Sequence, residues 1–298
     1  RALERAASVA AELGPRAHAL QCDVMDEASC AAVASAVEAL GGGELLALVN
    51  NAGFAADLPW FPTPWPASAA SQTLAVNLFG AERLTRALTP LLRKADDGRV
   101  VMVSSGGGRL NMKRMSEERR RQLLSELSWA DIVELAACFT REYEAAAAGQ
   151  TAEAPLPFMS PSGLWLQSYG FSKACLGAYC QILARSEPSL LATTCSPGWV
   201  ATEMSSTYAG DATMQKFDAL LNDSQGKARA EELARVIDHA HVLGERPSLF
   251  RSSERHRKLE LNVSLDNAVV ALVVLIIPER LHLPQRPPHR WVVDTQID

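Results

Sequence analysis

The chain alternates between short apolar runs and longer segments in which apolar residues recur every three or four positions. The short runs predict β-strands at residues 18–24, 45–49, 99–103 and 190–195. The periodic segments predict helices at residues 1–13, 26–40, 68–94 and 168–185, with a disturbance of the third near Pro90. Strands that alternate with helices form βαβ units, so we expect an α/β fold with a parallel sheet and right-handed crossovers.

Polar residues and glycines gather at or just after the end of each predicted strand. In chain order these groups are Asp23, residues 50–53, residues 104–108 and residues 196–198. Ligands of such folds bind beyond the carboxyl ends of the strands, so the four groups together predict a ligand site. Each group alone also fits a helix cap, a turn or a flexible loop.

Tyr169 and Lys173 lie four residues apart on the predicted helix 168–185. Side chains with this spacing share one helix face, so the two residues can serve one site. A neighbouring cation lowers the pKa of a phenol. The pair therefore predicts a general acid that protonates an alkoxide as a carbonyl is reduced. On its own, the spacing also arises by chance.

Composition narrows the class of protein. The chain has 298 residues, 48% of them hydrophobic, which is enough to bury a core. Its net charge of -5 provides no broad basic field, so we expect no nucleic-acid partner. The six cysteines show no paired spacing, which is typical of reduced thiols in a cytoplasmic protein. None of the six histidines forms a metal-like cluster, so we expect no metal site.

Two further features concern the ends of the chain. The longest apolar run, residues 268–277, is about half of the roughly 20 residues that span a bilayer. It therefore predicts a buried strand or helix segment, and we expect no membrane span. The chain begins with Arg1, and residues 1–13 resemble a helix with no capping residue before it. We expect that the beginning of the fold is missing.

Taken together, these residues resemble the short-chain dehydrogenase/reductase family. The matched positions, in the order in which the family has them, are Asp23, Asn50-Asn51-Ala52-Gly53, Asn77, Ser105, Tyr169 with Lys173, and Pro197-Gly198 followed by Thr202. Residues 76–80, 99–105 and 197–204 are most similar to the carbonyl-reductase branch of the family. The resemblance implies a Rossmann-type, doubly wound parallel sheet.

The resemblance also implies a reaction, the transfer of a hydride from NADPH to a ketone, aldehyde or quinone carbonyl. Tyr169 would donate the proton and Ser105 would hold the carbonyl oxygen. Lys173 would acidify Tyr169 and hold the nicotinamide ribose, and Asn77 would anchor a water that leads to Lys173. The other matched residues are implied to bind the cofactor: Asp23 beside the adenine, Asn50, Ala52 and Gly53 along the groove, and Pro197, Gly198 and Thr202 at the carboxamide.

The 64 positions from Ser105 to Tyr169 resemble the carbonyl-reductase branch, which carries a helical insertion there. We expect this insertion at residues 106–167, with Trp129, Phe139 and Tyr143 in its core. The resemblance implies that it covers the helix face used for dimerisation, and hence a monomer. We divide the chain into a reductase domain at residues 1–255 and an unrecognised C-terminal extension at residues 256–298.

The chain lacks the Gly-rich strand–turn–helix with which the family opens and which receives the cofactor's pyrophosphate. A first alternative is therefore an inactive remnant of the fold that no longer binds cofactor. A second is a regulatory nucleotide sensor, against which the Tyr/Lys pair argues. Farther along, the sequence predicts a substrate lid at residues 204–221, a helix from residue 229 and a strand at 248–251.

Overall fold

A computed structural model describes residues 2–40, 42–57, 66–148, 167–196 and 270–275. Within these ranges the chain forms eight α-helices, one π-helical segment and five strands. In chain order they are α1 (Ala2–Leu13), β1 (Ala17–Cys22), α2 (Glu27–Leu40), β2 (Ala47–Asn50), α3 (Ala69–Leu74), the π-helical segment (Ala75–Gly80), α4 (Ala81–Leu92), β3 (Arg99–Val103), α5 (Gly106–Arg114), α6 (Glu117–Leu124), α7 (Trp129–Ala147), α8 (Gln167–Ser186), β4 (Leu191–Cys195) and β5 (Val270–Leu275).

Strands β2, β3 and β4 form a parallel sheet with β3 in the middle. Asn50 pairs with Met102, and Val103 pairs with Cys195, so the carboxyl ends of all three strands lie at the same edge. All residues of β3 after Arg99 are buried, as expected for a parallel strand covered on both faces. The predicted parallel α/β arrangement is confirmed for these strands.

Strand β5 lies within the segment that the sequence left as an unrecognised extension. It pairs antiparallel with β1 over the whole of that strand, from Ala17 opposite Leu275 to Cys22 opposite Val270. Residues 268–277 were predicted to form a buried strand or helix segment, and β5 shows the strand alternative. The predicted lid, the helix from residue 229 and the strand at 248–251 lie outside the described residues.

The predicted helix 68–94 is divided, but the division does not lie at Pro90. Pro90 is within the last turn of α4, which continues to Leu92. A proline this close to the end of a helix removes one backbone hydrogen bond without stopping the helix. The irregularity lies instead at the π-helical segment Ala75–Gly80, which carries the buried side chain of Asn77. Such segments frequently mark functional sites.

The residues between Ser105 and Tyr169 contribute three helices, α5 to α7, that pack around α8. Helices α5 and α8 approach closely, because a Cβ added at Gly170 would lie 2.7 Å from the Cβ of Asn111. The rings of Phe139 on α7 and Phe171 on α8 stack with centroids 4.0 Å apart. Among the helices that the structure describes, none combines the length and apolar character needed to cross a membrane.

Candidate active site

The four predicted catalytic residues come from three elements that meet at the carboxyl edge of the parallel sheet. Asn77 lies on the π-helical segment, Ser105 directly precedes α5, and Tyr169 and Lys173 lie on α8. The Nζ of Lys173 is 5.7 Å from the centre of the Tyr169 ring. A Cβ added at Gly53 would lie 3.8 Å from the Nζ of Lys173 and 4.0 Å from the Oδ1 of Asn77. The fold therefore gathers residues that are far apart in sequence.

Ser105 and Ser104 have different surroundings. The side chain of Ser105 caps α5 by accepting a hydrogen bond of 3.1 Å from the amide of Gly107, and its interaction with the phenol of Tyr169 lowers the pKa of that phenol. The hydroxyl of Ser104 instead donates to the backbone oxygen of Lys173 at 3.3 Å. Ser105 is therefore the serine whose side chain contacts the candidate acid.

The pKa of Tyr169 departs from the sequence-based expectation. Burial raises the pKa of the phenol above its usual value, and the hydrogen bond with Ser105 opposes this only in part. The sequence predicted a lowered pKa because Lys173 adds a positive charge four residues away. That prediction was wrong, because the loss of hydration around a buried phenolate raises the pKa by more than the hydrogen bond with Ser105 lowers it.

Lys173 is 4% exposed, and its Nζ donates a hydrogen bond of 2.7 Å to the backbone oxygen of Val103. Burial lowers the pKa of Lys173 to about 8, and the nearby thiol of Cys195 weakly opposes that shift. An ammonium has three hydrogen-bond donors. Within the described part of the chain, the Val103 oxygen is its hydrogen-bonded acceptor, so donors remain for a ligand beside Gly53.

Asn77 is 1% exposed, which excludes the alternative that it faces solvent in mid-helix. Its Oδ1 accepts from the amide of Phe54 at 2.7 Å, and its Nδ2 donates to the Phe54 oxygen at 2.8 Å. The same Nδ2 donates to the Oγ of Ser172 at 2.9 Å. Asn77 thus ties the segment after Gly53 to α8, and both of its amide hydrogens are used within the protein.

The predicted cofactor residues divide into three groups. Gly53 lies beside Lys173, and Ala52 packs at the edge of the core. Asn50 points into the core, where its Nδ2 donates to the Oγ1 of Thr85 at 2.9 Å. Asp23 closes its own turn, because its Oδ1 accepts from the amide of Met25 at 2.9 Å. The remaining predicted residues, Pro197, Gly198 and Thr202, lie outside the described residues.

Two residues that the sequence did not single out belong to the surroundings of the site. Ser172 lies between Tyr169 and Lys173, and its Oγ donates to the Tyr169 backbone oxygen at 2.7 Å. Asp57 accepts two hydrogen bonds from Ser168, the residue before Tyr169. Ser172 could have been found from the sequence, because it lies inside the Tyr/Lys motif. Asp57 could not, because it lies 111 positions from Ser168, the residue to which it is hydrogen-bonded. Over the described ranges, no three His, Cys, Asp or Glu residues form a potential metal site.

Comparisons with known proteins identify related sequences and related folds. A family model described as short chain dehydrogenase matches residues 1–117. The chain is 31% identical over 203 residues to carbonyl reductase (NADPH) 1 of Rattus norvegicus, covering 66% of this chain and 67% of that protein. It is 30% identical over 205 residues to short-chain dehydrogenase/reductase 1 of Saponaria officinalis, covering 62% of this chain and 64% of that protein.

Two solved structures are similar in fold. Menthone neomenthol reductase from Mentha piperita matches with a TM-score of 0.51 and 25% identity, over 66% of this chain and 77% of that one. Salutaridine reductase from Papaver somniferum matches with a TM-score of 0.50 and 25% identity, over 62% of this chain and 69% of that one. The fold and site thus define a Rossmann-type member of the NAD(P)-dependent oxidoreductases.

The chain belongs to the short-chain dehydrogenase/reductase family. It spans about two thirds of the length of the curated relatives named above, 67% of the rat protein and 64% of the Saponaria protein.

Proposed function

We propose that this protein is an NADPH-dependent carbonyl reductase that transfers hydride to a ketone, aldehyde or quinone. The proposal rests on one observation: the side chains of Ser105, Tyr169 and Lys173 lie close together. The phenol of Tyr169 interacts with the side chain of Ser105, and the amine of Lys173 lies over the Tyr169 ring at 5.7 Å from its centre. Similarity to a rat protein named for NADPH-dependent carbonyl reduction supports the choice of reaction and cofactor.

The residues beside Lys173 fit a nicotinamide nucleotide. Gly53 leaves space next to the Lys173 amine, since the nearest atoms that an added Cβ would meet lie 3.8 Å away. Lys173 would hold the hydroxyls of the nicotinamide ribose with the donors that Val103 does not use. When bound, NADPH supplies the hydride. The other predicted cofactor contacts remain part of this proposal. They are those of Asp23, Ala52, Pro197, Gly198 and Thr202, and that of Asn50, which its backbone would make because its side-chain amide donates to Thr85.

The proton is the part of the reaction that the chain itself supplies. With its pKa raised by burial, the phenol of Tyr169 stays protonated at neutral pH and is able to donate its proton to the oxygen of the reduced carbonyl. Ser105, adjacent to the phenol, would hold the same oxygen and stabilise its developing negative charge. The carbonyl carbon gains the hydride and the oxygen gains the Tyr169 proton, which Lys173 and solvent then replace.

The proposal includes a small-molecule substrate and a monomer that acts in the cytoplasm. The packing of Phe139 from α7 on Phe171 from α8 supports a monomer, because the helices between Ser105 and Tyr169 cover part of α8. The division into a reductase domain (1–255) that contains the insertion 106–167 and an extension (256–298) is kept as part of the proposal. Strand β5, which pairs with β1, is the described part of that extension.

The test is NADPH consumption in the presence of an apolar ketone, an aldehyde and a quinone, each compared with NADH. We expect turnover of at least one carbonyl with a preference for NADPH, and loss of that turnover in Tyr169→Phe. Saturable NADPH binding without turnover of any carbonyl would contradict the proposed reaction. Absence of binding by the folded chain would favour the inactive remnant, and equal use of NADH would overturn the cofactor preference.

A further inference from the structure

Asp57 is a carboxylate with 0% exposure, four residues after Gly53. Its Oδ2 accepts a hydrogen bond of 2.9 Å from the amide of Ser168, and its Oδ1 accepts one of 2.6 Å from the Ser168 hydroxyl. The same hydroxyl oxygen lies 3.1 Å from the Oγ1 of Thr73 on α3. A fully buried carboxylate requires partners of this kind, because an unpaired one is strongly destabilising.

Ser168 is the second residue of α8, where the backbone amides have no partner within the helix. Asp57 supplies an acceptor for one of these amides and places a negative charge at the positive end of the helix. The carboxylate therefore caps α8 from a segment 111 positions earlier in the chain. The contact does what an ordinary N-terminal cap does, except that the capping residue is distant in sequence instead of next to the helix.

The residue after Ser168 is the candidate acid, Tyr169. The backbone oxygen of Tyr169 accepts a hydrogen bond of 2.7 Å from the Oγ of Ser172, which in turn accepts from Asn77. The first turn of α8 is thus held before Tyr169 by Asp57 and after it by Ser172. Because neighbouring side chains on a helix point in different directions, Ser168 faces the core while Tyr169 faces Ser105.

The surroundings of Asp57 are closed to water. Tyr143 on α7 is 4% exposed, and its pKa is raised by burial and by the negative charge of Asp57. Its phenol therefore stays protonated, and within the described part of the chain its buried hydroxyl has no hydrogen-bond partner. Helices α3, α7 and α8 all contribute to this polar cluster of Asp57, Thr73, Tyr143 and Ser168.

We propose that Asp57 is a positioning residue, which anchors the first turn of α8 and so holds the phenol of Tyr169 at Ser105. This inference rests on the proposed function for its catalytic consequence. It also explains why two hydrogen-bonded contacts hold the segment after Gly53. One joins Phe54 to Asn77, and the other joins Asp57 to Ser168. The cofactor-facing segment and the helix that carries the acid are thereby held in one arrangement.

The test compares Asp57→Ala, Asp57→Asn and Ser168→Ala with Thr140→Val. The control removes a hydrogen bond that lies within α7, from Thr140 to the Ala136 oxygen, and leaves the contact of Asp57 with Ser168 intact. For Asp57→Ala we expect kcat for carbonyl reduction to fall about 100-fold, as small misplacements of a reacting group allow. NADPH affinity should stay within about twofold, because the contact positions the acid rather than the cofactor. Asp57→Asn keeps one acceptor oxygen, so its kcat should lie between those of wild type and Asp57→Ala.

Adding Ser168→Ala to Asp57→Ala should lower kcat no further, since both changes break the same contact. A kcat for Asp57→Ala equal to that of Thr140→Val would overturn the inference. If Asp57→Ala does not fold, the same comparison is made with Asp57→Asn and Ser168→Ala, and a kcat for both equal to the control's overturns it.

A second measurement separates this inference from the proposed function. Hydrogen exchange of the Ser168 and Tyr169 amides, resolved by NMR, requires no activity. Loss of the anchor should speed their exchange on the order of 10-fold in Asp57→Asn but not in Thr140→Val. If the wild type reduces no carbonyl, the proposed function fails and faster exchange still supports the anchor. Unchanged exchange overturns the anchor whatever the activity.

Discussion

The Nζ of Lys173 donates a hydrogen bond of 2.7 Å to the backbone oxygen of Val103, the last residue of β3. This contact holds an amine at the carboxyl edge of the parallel sheet with 4% exposure. Burial disfavours the charged form and lowers the pKa of Lys173 from 10.5 to about 8. The folded protein without cofactor therefore maintains a poorly solvated charge at neutral pH, at the position where a ligand is proposed to bind.

This burial predicts a pH dependence of stability. Between pH 8 and pH 10.5 the unfolded chain keeps the Lys173 proton and the folded chain loses it, so the free energy of unfolding rises with pH. Lys173→Met lacks this contribution. The stability of the wild type relative to Lys173→Met should increase by roughly 3 kcal/mol across this window, measured by urea unfolding at each pH.

The matched control for that series is Lys113→Met, which removes an exposed lysine on α5. It should leave the pH dependence of the wild type unchanged. Tyr169 and Cys195 face the Lys173 amine and are retained in both variants, so their own titrations largely cancel. A difference between wild type and Lys173→Met that stays constant with pH would contradict the lowered pKa of Lys173.

Two glycines of α8 predict opposite effects of the same substitution. A Cβ at Gly170 would lie 2.7 Å from the Cβ of Asn111 and 2.9 Å from the Gly107 oxygen, so α5 and α8 would have to separate. Gly170→Ala should lower the free energy of unfolding by roughly 1–3 kcal/mol. Gly177 has no atom within 4 Å of such a Cβ, so Gly177→Ala should raise it by about 0.5–1 kcal/mol. Urea unfolding of both variants is the measurement, and effects of the same sign would contradict the close helix contact.

Substitution of Asn50 tests whether its side chain stabilises the fold or binds the cofactor. Its amide donates to Thr85 and to the sulfur of Met102. Asn50→Ala should therefore destabilise the fold by about 1–3 kcal/mol, because buried polar partners lose their bonds. NADPH affinity, measured by fluorescence titration, should change by less than about threefold. Thr85→Val removes the same hydrogen bond and should reproduce the loss of stability.

For Asn50, the opposite pattern is as informative. Unchanged unfolding together with a large loss of NADPH affinity would show that the side chain of Asn50 contacts the cofactor.

The order of strands and helices was predictable because it depends on local patterns. The boundaries of β3 match the predicted strand 99–103, since an apolar run that ends in serines and glycines marks a buried parallel strand. The spacing of Tyr169 and Lys173 likewise predicted a shared helix face, and the ring-to-amine distance of 5.7 Å is consistent with it.

Features that depend on distant parts of the chain were not predictable from such patterns. The π-helical segment arises in residues 75–80, whose composition is that of an ordinary helix, and Asn77 there is fully bonded to Phe54 and Ser172. The pairing of β5 with β1 joins residues about 250 positions apart, and nothing local specifies the partner of an apolar strand. The raised pKa of Tyr169 depends on burial, which the charge pattern does not contain.

The most direct test of the central claim is single-turnover reduction of a carbonyl by wild type, Tyr169→Phe and Tyr179→Phe. Tyr179 lies on the same helix and packs on Trp129, so it controls for the loss of a phenol hydroxyl from α8. We predict that Tyr169→Phe slows the reaction by at least about 100-fold with NADPH affinity retained, while Tyr179→Phe stays close to the wild type. A Tyr169→Phe variant that reduces the carbonyl as fast as the wild type would contradict the assignment of Tyr169 as the acid.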